Sequence, residues 1–318
     1  MAPESGEFAL IDRYFTRPTP QAVLGVGDDA AILTPTPGHE LLASSDTLVE
    51  GVHFFAGTAA EDLGWKTLAV NVSDLAAMGG TPRWALLALT LPAADEDWLA
   101  AFARGFHACA AAYGLALVGG DTTRGPRSFT VTVLGEVPTG MALRRSGARP
   151  GDELWISGWP GRAALALRHL RGELILAEPF RSACLTALQR PQPRHALGLA
   201  LRGLASAAID VSDGLLADLG HVLRASAVAA RVDGAVPMEL TLAVGEDAAR
   251  TAFFAGGDDY ELLFSVSPDR RAEIEALAVR LDLPLYRIGR IEGGPAGAII
   301  DGAGQPYAGP HGYEHFVP

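Results

Sequence analysis

The sequence predicts an α/β protein of the α+β type that is divided into two domains. Its 318 residues exceed the usual size of one domain, and apolar runs of strand length alternate with helical patterns. A segment rich in Gly, Pro and Arg, PTGMALRRSGARPG at 138–151, separates two such blocks. We therefore place the domains at residues 1–138 and 139–318.

The first block is predicted to contain four strands and two helices. The first helix runs from Thr58 through GWKTLAVNVSDLAAM to the pair Gly79-Gly80. The second, DEDWLAAFARGFHACAAAYG, has acids in its first turn and Gly114 at its end. The strands are LLASS (41–45), WALLALTL (84–91), LALV (115–118) and FTVTVLGEV (129–137).

The second block is predicted to contain at least three strands and two helices. One helix begins at Asp213, whose carboxylate is a good N-cap, and continues through GLLADLGHVLRAS; the other is EIEALAVRL at 273–281. Residues 234–250 have no clear periodicity and stay unassigned. The strands are ELWIS (153–157), AAID (207–210) and AARV (229–232).

Composition excludes several classes of protein. The formal net charge of −12 disfavours a nucleic-acid surface, which needs a basic stripe. Cys109 and Cys184 form no CxxC pair, so we expect neither a disulfide framework nor a thiolate zinc site. The N-terminus lacks the pattern of a secretory signal, and no apolar run reaches the length of a membrane span. We expect a cytoplasmic protein without membrane partners.

The stretch GVGDDAAIL at 25–33 fits two incompatible interpretations. Its glycine spacing resembles a dinucleotide-binding turn, whereas Asp28 and Asp29 stand where a pyrophosphate would lie. A dinucleotide fold requires a helix next, and Pro35 and Pro37 forbid one. We therefore favour one wall of a metal site. A P-loop is absent as well, because the single lysine, Lys66, lies in GWKTL rather than in GK[ST].

Aspartates punctuate the predicted strand ends and one apolar helix. Taken singly, each aspartate is most simply a turn or cap residue. Asp74 is an exception, because it shares a helix face with Asn71, and a polar patch inside an apolar helix needs a partner. Together, carboxylates at one sheet edge would repel one another, and Mg²⁺ removes that repulsion. The pattern favours a site for several Mg²⁺ ions. Its members are Asp28, Asp29, Asp46, Asp74, Asp121, Asp210 and Asp213.

An ordered series of motifs resembles the thiamine-monophosphate kinase family of the aminoimidazole-ribonucleotide-synthetase-like superfamily. The resemblance covers residues 5–317. It implies an N-terminal mixed-sheet domain whose helices form a homodimer interface, and a C-terminal α/β domain that closes over the nucleotide. The motifs are GVGDDAAIL, SSDTLVEGVHF, AVNVSDLAAMGGTP, LVGGDTTRG, LRRSG, AIDVSDGLLADL, GGDDYEL and GYEHF.

The resemblance implies ATP-dependent phosphorylation of thiamine monophosphate to thiamine diphosphate, by in-line transfer with several Mg²⁺ ions. Donor and acceptor are both phosphates, so no protein nucleophile and no catalytic residue in that sense is expected. The family pattern usually has Glu where this chain has Asp258. By this resemblance Mg²⁺ is held by Asp29, Ser44, Ser45, Asp46, Asp74, Asp121, Asp210 and Asp213, ATP by Gly120, Asp121, Arg145 and Ser212, and thiamine monophosphate by His53, Asp258 and Tyr313.

Two other functions stay open at this point. One is a different enzyme of the superfamily, such as aminoimidazole ribonucleotide synthetase or selenophosphate synthetase. The latter generally carries a reactive Cys or selenocysteine near its N-terminal glycine loop, and neither Cys109 nor Cys184 lies there. The other is a non-catalytic protein that binds nucleotide or metal, against which the nearly complete set of carboxylates argues.

Overall fold

The structure is a computed structural model that describes residues 7–307 together with residues 312 and 313. The chain divides into two compact units. The first comprises the described residues up to Leu75 together with Gly80–Gly140, and the second comprises Ala76–Gly79 with the described residues from Met141 onward. The chain thus leaves the first unit for the last time after Gly140, within the segment rich in Gly, Pro and Arg.

The first unit contains a four-stranded mixed sheet. Its strands are β1 (His39–Val49), β2 (Thr81–Leu91), β3 (Ala116–Arg124) and β4 (Ser128–Pro138), in the order β1-β4-β2-β3. Strand β4 pairs antiparallel with β1 and β2, whereas β2 and β3 run parallel. The mixed sheet predicted for the N-terminal domain is therefore confirmed, and the parallel pair brings the end of β3 beside β2.

Three helices belong with this sheet: α1 (Glu7–Leu10), which continues into a π-helical turn at Ile11–Phe15, α2 (Ala60–Ala77) and α3 (Glu96–Tyr113). The predicted limits of α3 are confirmed. The Asp95 carboxylate accepts a hydrogen bond from the Trp98 amide at 3.0 Å, as an N-cap does. Gly114 ends the helix in the left-handed conformation, at φ 71°.

Helices α2 and α3 meet backbone to backbone at two glycines. A Cβ atom on Gly64 would lie 2.0 Å from the carbonyl oxygen of Phe102, and one on Gly105 would lie 1.8 Å from that of Glu61. No side chain fits at either position, so the glycines determine where the helices cross. Beside this crossing, the Phe102 ring packs against Phe129 of β4 at a centroid distance of 4.9 Å, which joins α3 to the sheet.

The second unit contains a six-stranded sheet surrounded by helices. Its strands are β5 (Glu153–Ser157), β6 (Ala207–Val211), β7 (Ala229–Val232), β8 (Glu261–Val266), β9 (Leu285–Glu292) and β10 (Ile299–Asp301), in the order β10-β7-β9-β5-β8-β6. Its helices are α4 (Arg162–Leu170), α5 (Phe180–Gln189), α6 (His195–Leu201), α7 (Leu215–Ser226), α8 (Met238–Val244), α9 (Glu246–Ala255) and α10 (Arg271–Leu281). Among these described strands, β10 and β7 pair in parallel and the other pairs are antiparallel.

Strands β5, β6 and β8 of this sheet are buried on both faces. All of β5 is buried; Leu154 and Ile156 belong to one apolar cluster and Trp155 to another. Because successive strand residues point to opposite faces, the two clusters lie on opposite sides of the sheet. Helices α4, α5, α7 and α9 contribute to the first cluster, and α6 and α10 contribute to the second. Burial on both faces explains why β5 and β8 read as continuous apolar runs.

Both cysteines are buried, and neither belongs to a disulfide within the described residues. Burial raises the pKa of the Cys184 thiol to about 12, and this thiol therefore stays protonated at neutral pH. Within the described part of the chain, no helix has both the length and the apolar character needed to cross a bilayer.

The helix crossing generates a first prediction. Gly105→Ala should lower the free energy of unfolding by at least about 1–3 kcal/mol, because its methyl group would meet the Glu61 carbonyl and force the helices apart. Urea unfolding of the two proteins measures the difference. Gly57→Ala is the matched control, since nothing lies within 4 Å of its added Cβ. Equal unfolding midpoints for wild type and Gly105→Ala would contradict the crossing.

Candidate functional site

A cleft in the first unit brings together four of the predicted site residues. Asp29, Gly120 and Asp121 all line it, as does Asp28 of the aspartate pattern, and its volume is about 1040 Å³. That volume suits a small-molecule ligand of nucleotide size. Its walls come from the GVGDDAAIL stretch, from β2, from the first half of β3 and from the π-helical turn.

The GVGDDAAIL stretch folds back on itself. Leu24 and Ile32 form an antiparallel bridge, in which the Ile32 amide donates to the Leu24 carbonyl at 2.9 Å. Between them, the Asp29 amide donates to the Asp28 carboxylate at 2.9 Å. Residues 23–38, all of them described, contain no helix. The structure thus confirms that this stretch is not a dinucleotide-binding turn, and it presents two carboxylates instead.

Gly120 allows an unusually close approach between β3 and β2. It stands opposite Leu87 in the parallel pair, and a Cβ atom on it would lie 1.9 Å from the Leu87 carbonyl oxygen. Its φ of 152° is also one that residues with a side chain rarely adopt. The next residue, Asp121, is exposed. The glycine therefore lets the chain run along the cleft wall and present Asp121 to it.

Helix α2 and strand β1 are joined by the polar side chains that the sequence singles out. The Ser44 hydroxyl donates to the Asp74 carboxylate at 2.5 Å, and the Asp46 amide donates to Asn71 Oδ1 at 3.0 Å. Asn71 is fully buried. The polar patch predicted on α2 thus has its partners on β1, where alternation puts Ser44 and Asp46 on the same face.

Ser45 lies on the opposite face of β1 from these groups. Its hydroxyl donates to the Val131 carbonyl at 3.1 Å and lies 3.0 Å from Thr132 Oγ1. Ser45 is exposed, whereas Ser44 is half-buried. The structure therefore brings the Ser44 hydroxyl to Asp74 but not the Ser45 hydroxyl, so any contribution of Ser45 to the same ion would come from its main chain.

His53 closes the turn that follows β1. Its Nδ1 atom accepts a hydrogen bond from the Val49 amide at 3.0 Å, and its own amide donates to the Val49 carbonyl at 2.9 Å. An accepting Nδ1 requires the neutral ring to carry its proton on Nε2. The next residue, Phe54, stacks on Phe129 at 5.5 Å. His53 is half-buried and held in place by its neighbours.

In the second unit, a loop at residues 212–214 connects β6 to α7. Asp218, buried in the first turn of α7, accepts hydrogen bonds at Oδ2 from the amides of Ser212, Asp213 and Gly214, at 3.1, 3.1 and 3.2 Å. The prediction that α7 begins at Asp213 with that carboxylate as N-cap is wrong. The helix begins at Leu215, and the amides are bound by Asp218 instead.

Asp218 has a strongly shifted pKa. Burial, and then the negative charge of Asp213, raise the pKa of Asp218 to about 7, although its three amide donors act in the opposite direction. Sequence reasoning missed this residue. The signal that identified Asp74, an aspartate inside an apolar helical run, was present in GLLADLGHVL as well.

The carbonyl groups of the same loop bind two other segments of the second unit. The Asp258 amide donates to the Ser212 carbonyl at 2.8 Å, and the Tyr313 amide donates to the Asp213 carbonyl at 2.9 Å. Asp210 lies buried in β6, just before the loop. The structure thus brings together the predicted ATP and metal residues Ser212 and Asp213 with the predicted substrate residues Asp258 and Tyr313.

The segment that carries Asp258 has a strained main chain. Asp258 and Tyr260 have φ of 68° and 53°, in the left-handed region that favours glycine. The Tyr260 amide donates to the Val211 carbonyl at 2.8 Å, and its hydroxyl donates to Asp258 Oδ1 at 3.0 Å. Such strain is maintained only where surrounding contacts determine it. Tyr260, which sequence reasoning also missed, orients the Asp258 carboxylate.

Arg145 is exposed, and its loop is held against the end of α7. The Ser226 hydroxyl donates to the Arg145 carbonyl at 3.1 Å and accepts from the amides of Gly147 and Ala148 at 3.1 and 3.2 Å. Burial lowers the pKa of His221; the charges of Arg224 and Arg145 act in the same direction, and Asp213 opposes them. Arg145 and Asp213 therefore both lie close enough to His221 of α7 to affect its pKa.

The predicted metal ligands form separate small groups. Among the described residues, no set of three or more His, Cys, Asp or Glu side chains is close enough to hold a metal ion. Asp29 and Asp121 share the cleft, Ser44 contacts Asp74, and Asp213 is close to Asp218. Their shared role in holding Mg²⁺ stays a prediction.

The fold and these groups define a class of protein. Residues 27–137 match the AIR synthase related protein N-terminal domain, and residues 149–302 match the AIR synthase related protein C-terminal domain. Apart from residues 76–79, which belong to the second unit, the first match lies in the first unit; the second match lies in the second unit, and together they cover well over half of the chain. The molecule is an AIR synthase related protein.

Comparison with individual proteins identifies the family within this class. The thiamine-monophosphate kinase of Salmonella typhimurium is 43% identical over 98% of each chain. The crystal structure of the thiamine-monophosphate kinase from Stenotrophomonas maltophilia is 49% identical, with a TM-score of 0.86 over 95% of this chain and 98% of that one. AaThiL, solved as a complex with AMPPCP and TMP, is 32% identical, with a TM-score of 0.78 over 98% and 97% of the two chains. The chain belongs to the thiamine-monophosphate kinase family.

The close approach at Gly120 generates a prediction about the cleft. Gly120→Ala should lower the free energy of unfolding by about 1–3 kcal/mol and weaken ATP binding, because its methyl group would push β3 away from Leu87. Titration calorimetry with ATP and Mg²⁺ measures the second effect. Gly119→Ala is the matched control, since its Cβ would meet only the flexible end of Leu86, at 3.1 Å. Indistinguishable ATP affinities for the two variants would contradict the prediction.

Proposed function

We propose that this chain transfers the γ-phosphoryl group of ATP to thiamine monophosphate and produces thiamine diphosphate. One observation carries the proposal. The carbonyls of Ser212 and Asp213, which the resemblance assigns to ATP and metal, bind the amides of Asp258 and Tyr313, which it assigns to the acceptor. Donor-side and acceptor-side residues of the second unit are thus neighbours. The similarity to thiamine-monophosphate kinases, and to a structure that holds AMPPCP and TMP, supports the same assignment.

The residues assigned to metal fit a hard divalent cation. Seven of the eight offer carboxylate or hydroxyl oxygen and Ser45 would offer its main-chain carbonyl oxygen; oxygen is the donor that Mg²⁺ prefers, and none of the eight is a Cys or His. Asp121 is exposed on the cleft wall, and Asp213 is not used as a helix cap, so both carboxylates are available for a ligand. When bound, Mg²⁺ offsets the negative charge that phosphate groups bring together. The proposed ligands are Asp29, Ser44, Ser45, Asp46, Asp74, Asp121, Asp210 and Asp213.

The proposed transfer is direct. An oxygen of the thiamine monophosphate phosphate attacks the γ-phosphorus of ATP, the bond from that phosphorus to the β–γ bridging oxygen breaks, and ADP leaves. That acceptor oxygen is already anionic at neutral pH, so no strong base and no protein nucleophile is required. The chain's task is to position two anions and to reduce their repulsion.

Different residues bind the two substrates in this proposal. Gly120 and Ser212 offer main-chain or hydroxyl groups to ATP, Asp121 contributes through metal, and Arg145 contributes positive charge. For the acceptor, His53, Asp258 and Tyr313 are the proposed contacts. His53 presents an Nε2–H donor because Nδ1 is already accepting a bond, and Tyr260 holds the Asp258 carboxylate in one orientation.

We also propose that the protein acts as a homodimer in the cytoplasm. The dimer interface and the closing of the C-terminal domain over the nucleotide are expectations from the family resemblance. Sedimentation of the purified protein at several concentrations tests the dimer.

Direct detection of the product tests the proposed function. The purified chain is incubated with ATP, Mg²⁺ and thiamine monophosphate, and thiamine diphosphate is measured by chromatography with mass detection. Thiamine diphosphate formed in step with ADP is the expected result. Replacing the acceptor by formylglycinamidine ribonucleotide or selenide tests the other superfamily activities. ATP binding without release of ADP for any acceptor would instead indicate a non-catalytic binding protein.

The proposed metal role of Asp213 generates a further prediction. Asp213→Asn should lower kcat on the order of 10- to 100-fold and raise the Mg²⁺ concentration needed for half activation, because a neutral amide attracts a divalent cation less strongly. A titration of activity with Mg²⁺ measures both effects. Asp247→Asn, an exposed carboxylate in the first turn of α9, is the control and should keep wild-type values. If Asp213→Asn keeps wild-type turnover at every Mg²⁺ concentration, Asp213 is not a Mg²⁺ ligand.

A further inference from the structure

Asp218 stands out among the buried carboxylates because of what it binds. Only 3% of its surface is exposed, yet Oδ2 alone accepts three hydrogen bonds, from the consecutive amides of Ser212, Asp213 and Gly214. Three donors on one oxygen determine the direction of three successive peptide groups. Gly214, with φ of 128°, takes a conformation that only glycine adopts readily.

The opposite side of the same loop is bound just as fully. The carbonyls of Val211, Ser212 and Asp213 accept hydrogen bonds from the amides of Tyr260, Asp258 and Tyr313, at 2.8, 2.8 and 2.9 Å. Amides on one side and carbonyls on the other leave the main chain of the loop no freedom to turn. Its conformation is therefore determined jointly by Asp218 and by the two segments that it binds.

Two glycines make those contacts possible. A Cβ atom on Gly257 would lie 2.5 Å from the Ser212 carbonyl oxygen, and one on Gly312 would lie 2.5 Å from that of Asp213. Each glycine directly precedes a residue assigned to the substrate, Asp258 or Tyr313. Both segments thus approach the loop by their main chains, and both depend on where its carbonyls point.

We propose that Asp218 is a positioning residue that sets the Ser212–Gly214 loop and, through it, both halves of the candidate site in the second unit. On one side it orients Ser212 and Asp213 toward ATP and metal. On the other it fixes the carbonyls that place Asp258 and Tyr313 for the acceptor. The inference rests on the proposed function for the identity of the ligands, but the bonds themselves do not depend on it.

A purely structural role for Asp218 predicts something different. A buried carboxylate that only completes the hydrogen bonds of its helix would affect stability and leave the substrates' KM values unchanged. A positioning role predicts that the KM values for both substrates and the Mg²⁺ requirement change together, because one loop serves all three.

The test compares Asp218→Leu and Asp218→Asn with a matched buried carboxylate. Leucine removes every acceptor, so the KM values for ATP and for thiamine monophosphate should each rise about 10- to 100-fold, and half activation should need more Mg²⁺. Asparagine retains one acceptor oxygen of the same shape and should recover most of the loss. In Asp152→Leu, the removed carboxylate is 6% exposed and accepts from the Arg149 amide and the Ser206 hydroxyl. That variant should lose stability with unchanged KM values.

Wild-type KM values in Asp218→Leu would overturn the proposal. If that variant does not fold, hydrogen exchange of the wild-type peptide 211–217 decides, because the amides of Ser212–Gly214 should exchange as slowly as those inside α7, and rapid exchange would refute the inference. Failure of the proposed function is distinguishable from both outcomes. It appears as a wild-type protein that makes no thiamine diphosphate, in which case calorimetric binding of ATP and Mg²⁺ by the same variants still tests the positioning role.

Discussion

The candidate site of the second unit depends on the hydrogen bonds made by the main chain of residues 211–214. A single hydrogen bond contributes only about 1 kcal/mol net, but a buried polar group left without a partner costs more than that. In this loop the amides and the carbonyls are bound on opposite sides, so rotating one peptide group would leave several groups unpaired at once. The loop therefore has one favourable conformation. Because Asp218 binds the amides, the carboxylate of Asp213 is not used for capping and remains available for ligands.

In the first unit, the geometry depends instead on glycines, whose lack of a side chain allows close contacts between main chains. Gly64 and Gly105 let two helices touch, and Gly120 lets β3 run against a carbonyl of β2. In each case the main chains lie closer than any Cβ permits, and the position is determined by sterics. Within the first unit these contacts hold the main chain rigid, as a site for charged ligands requires.

Most of the elements bordering the site follow from sequence, because turns and caps mark them strongly. All seven predicted strands exist, as do the four predicted helices α2, α3, α7 and α10. Helices α1, α4, α5, α6, α8 and α9 were not identified. Each of them has ten residues or fewer, too few to show a helical period clearly, whereas each predicted helix has eleven or more. Strands β8, β9 and β10 were also missed; β10 has three residues, too few to show an alternating pattern.

The residues of the candidate site were predictable only in part. Aspartates in unusual places led to Asp74, whose partner on β1 could then be expected, although which serine faces it depends on strand register. The wrong start of α7 has a similar cause, because local capping rules favour the nearest acid, whereas a residue one turn further on binds the amides. Contacts between the 211–214 loop and residues more than forty positions away depend on the order of strands, which no local pattern contains.

The left-handed conformation at Asp258 has a consequence for variation within the family. The segment is anchored by its main chain, through the bond from the Asp258 amide to the Ser212 carbonyl, and the Asp258 carboxylate accepts a hydrogen bond from the Tyr260 hydroxyl. A carboxylate with one more methylene group at this position would extend further toward a bound molecule from the same point of attachment. The length of the side chain at this position can therefore change while the main chain that carries it stays in place.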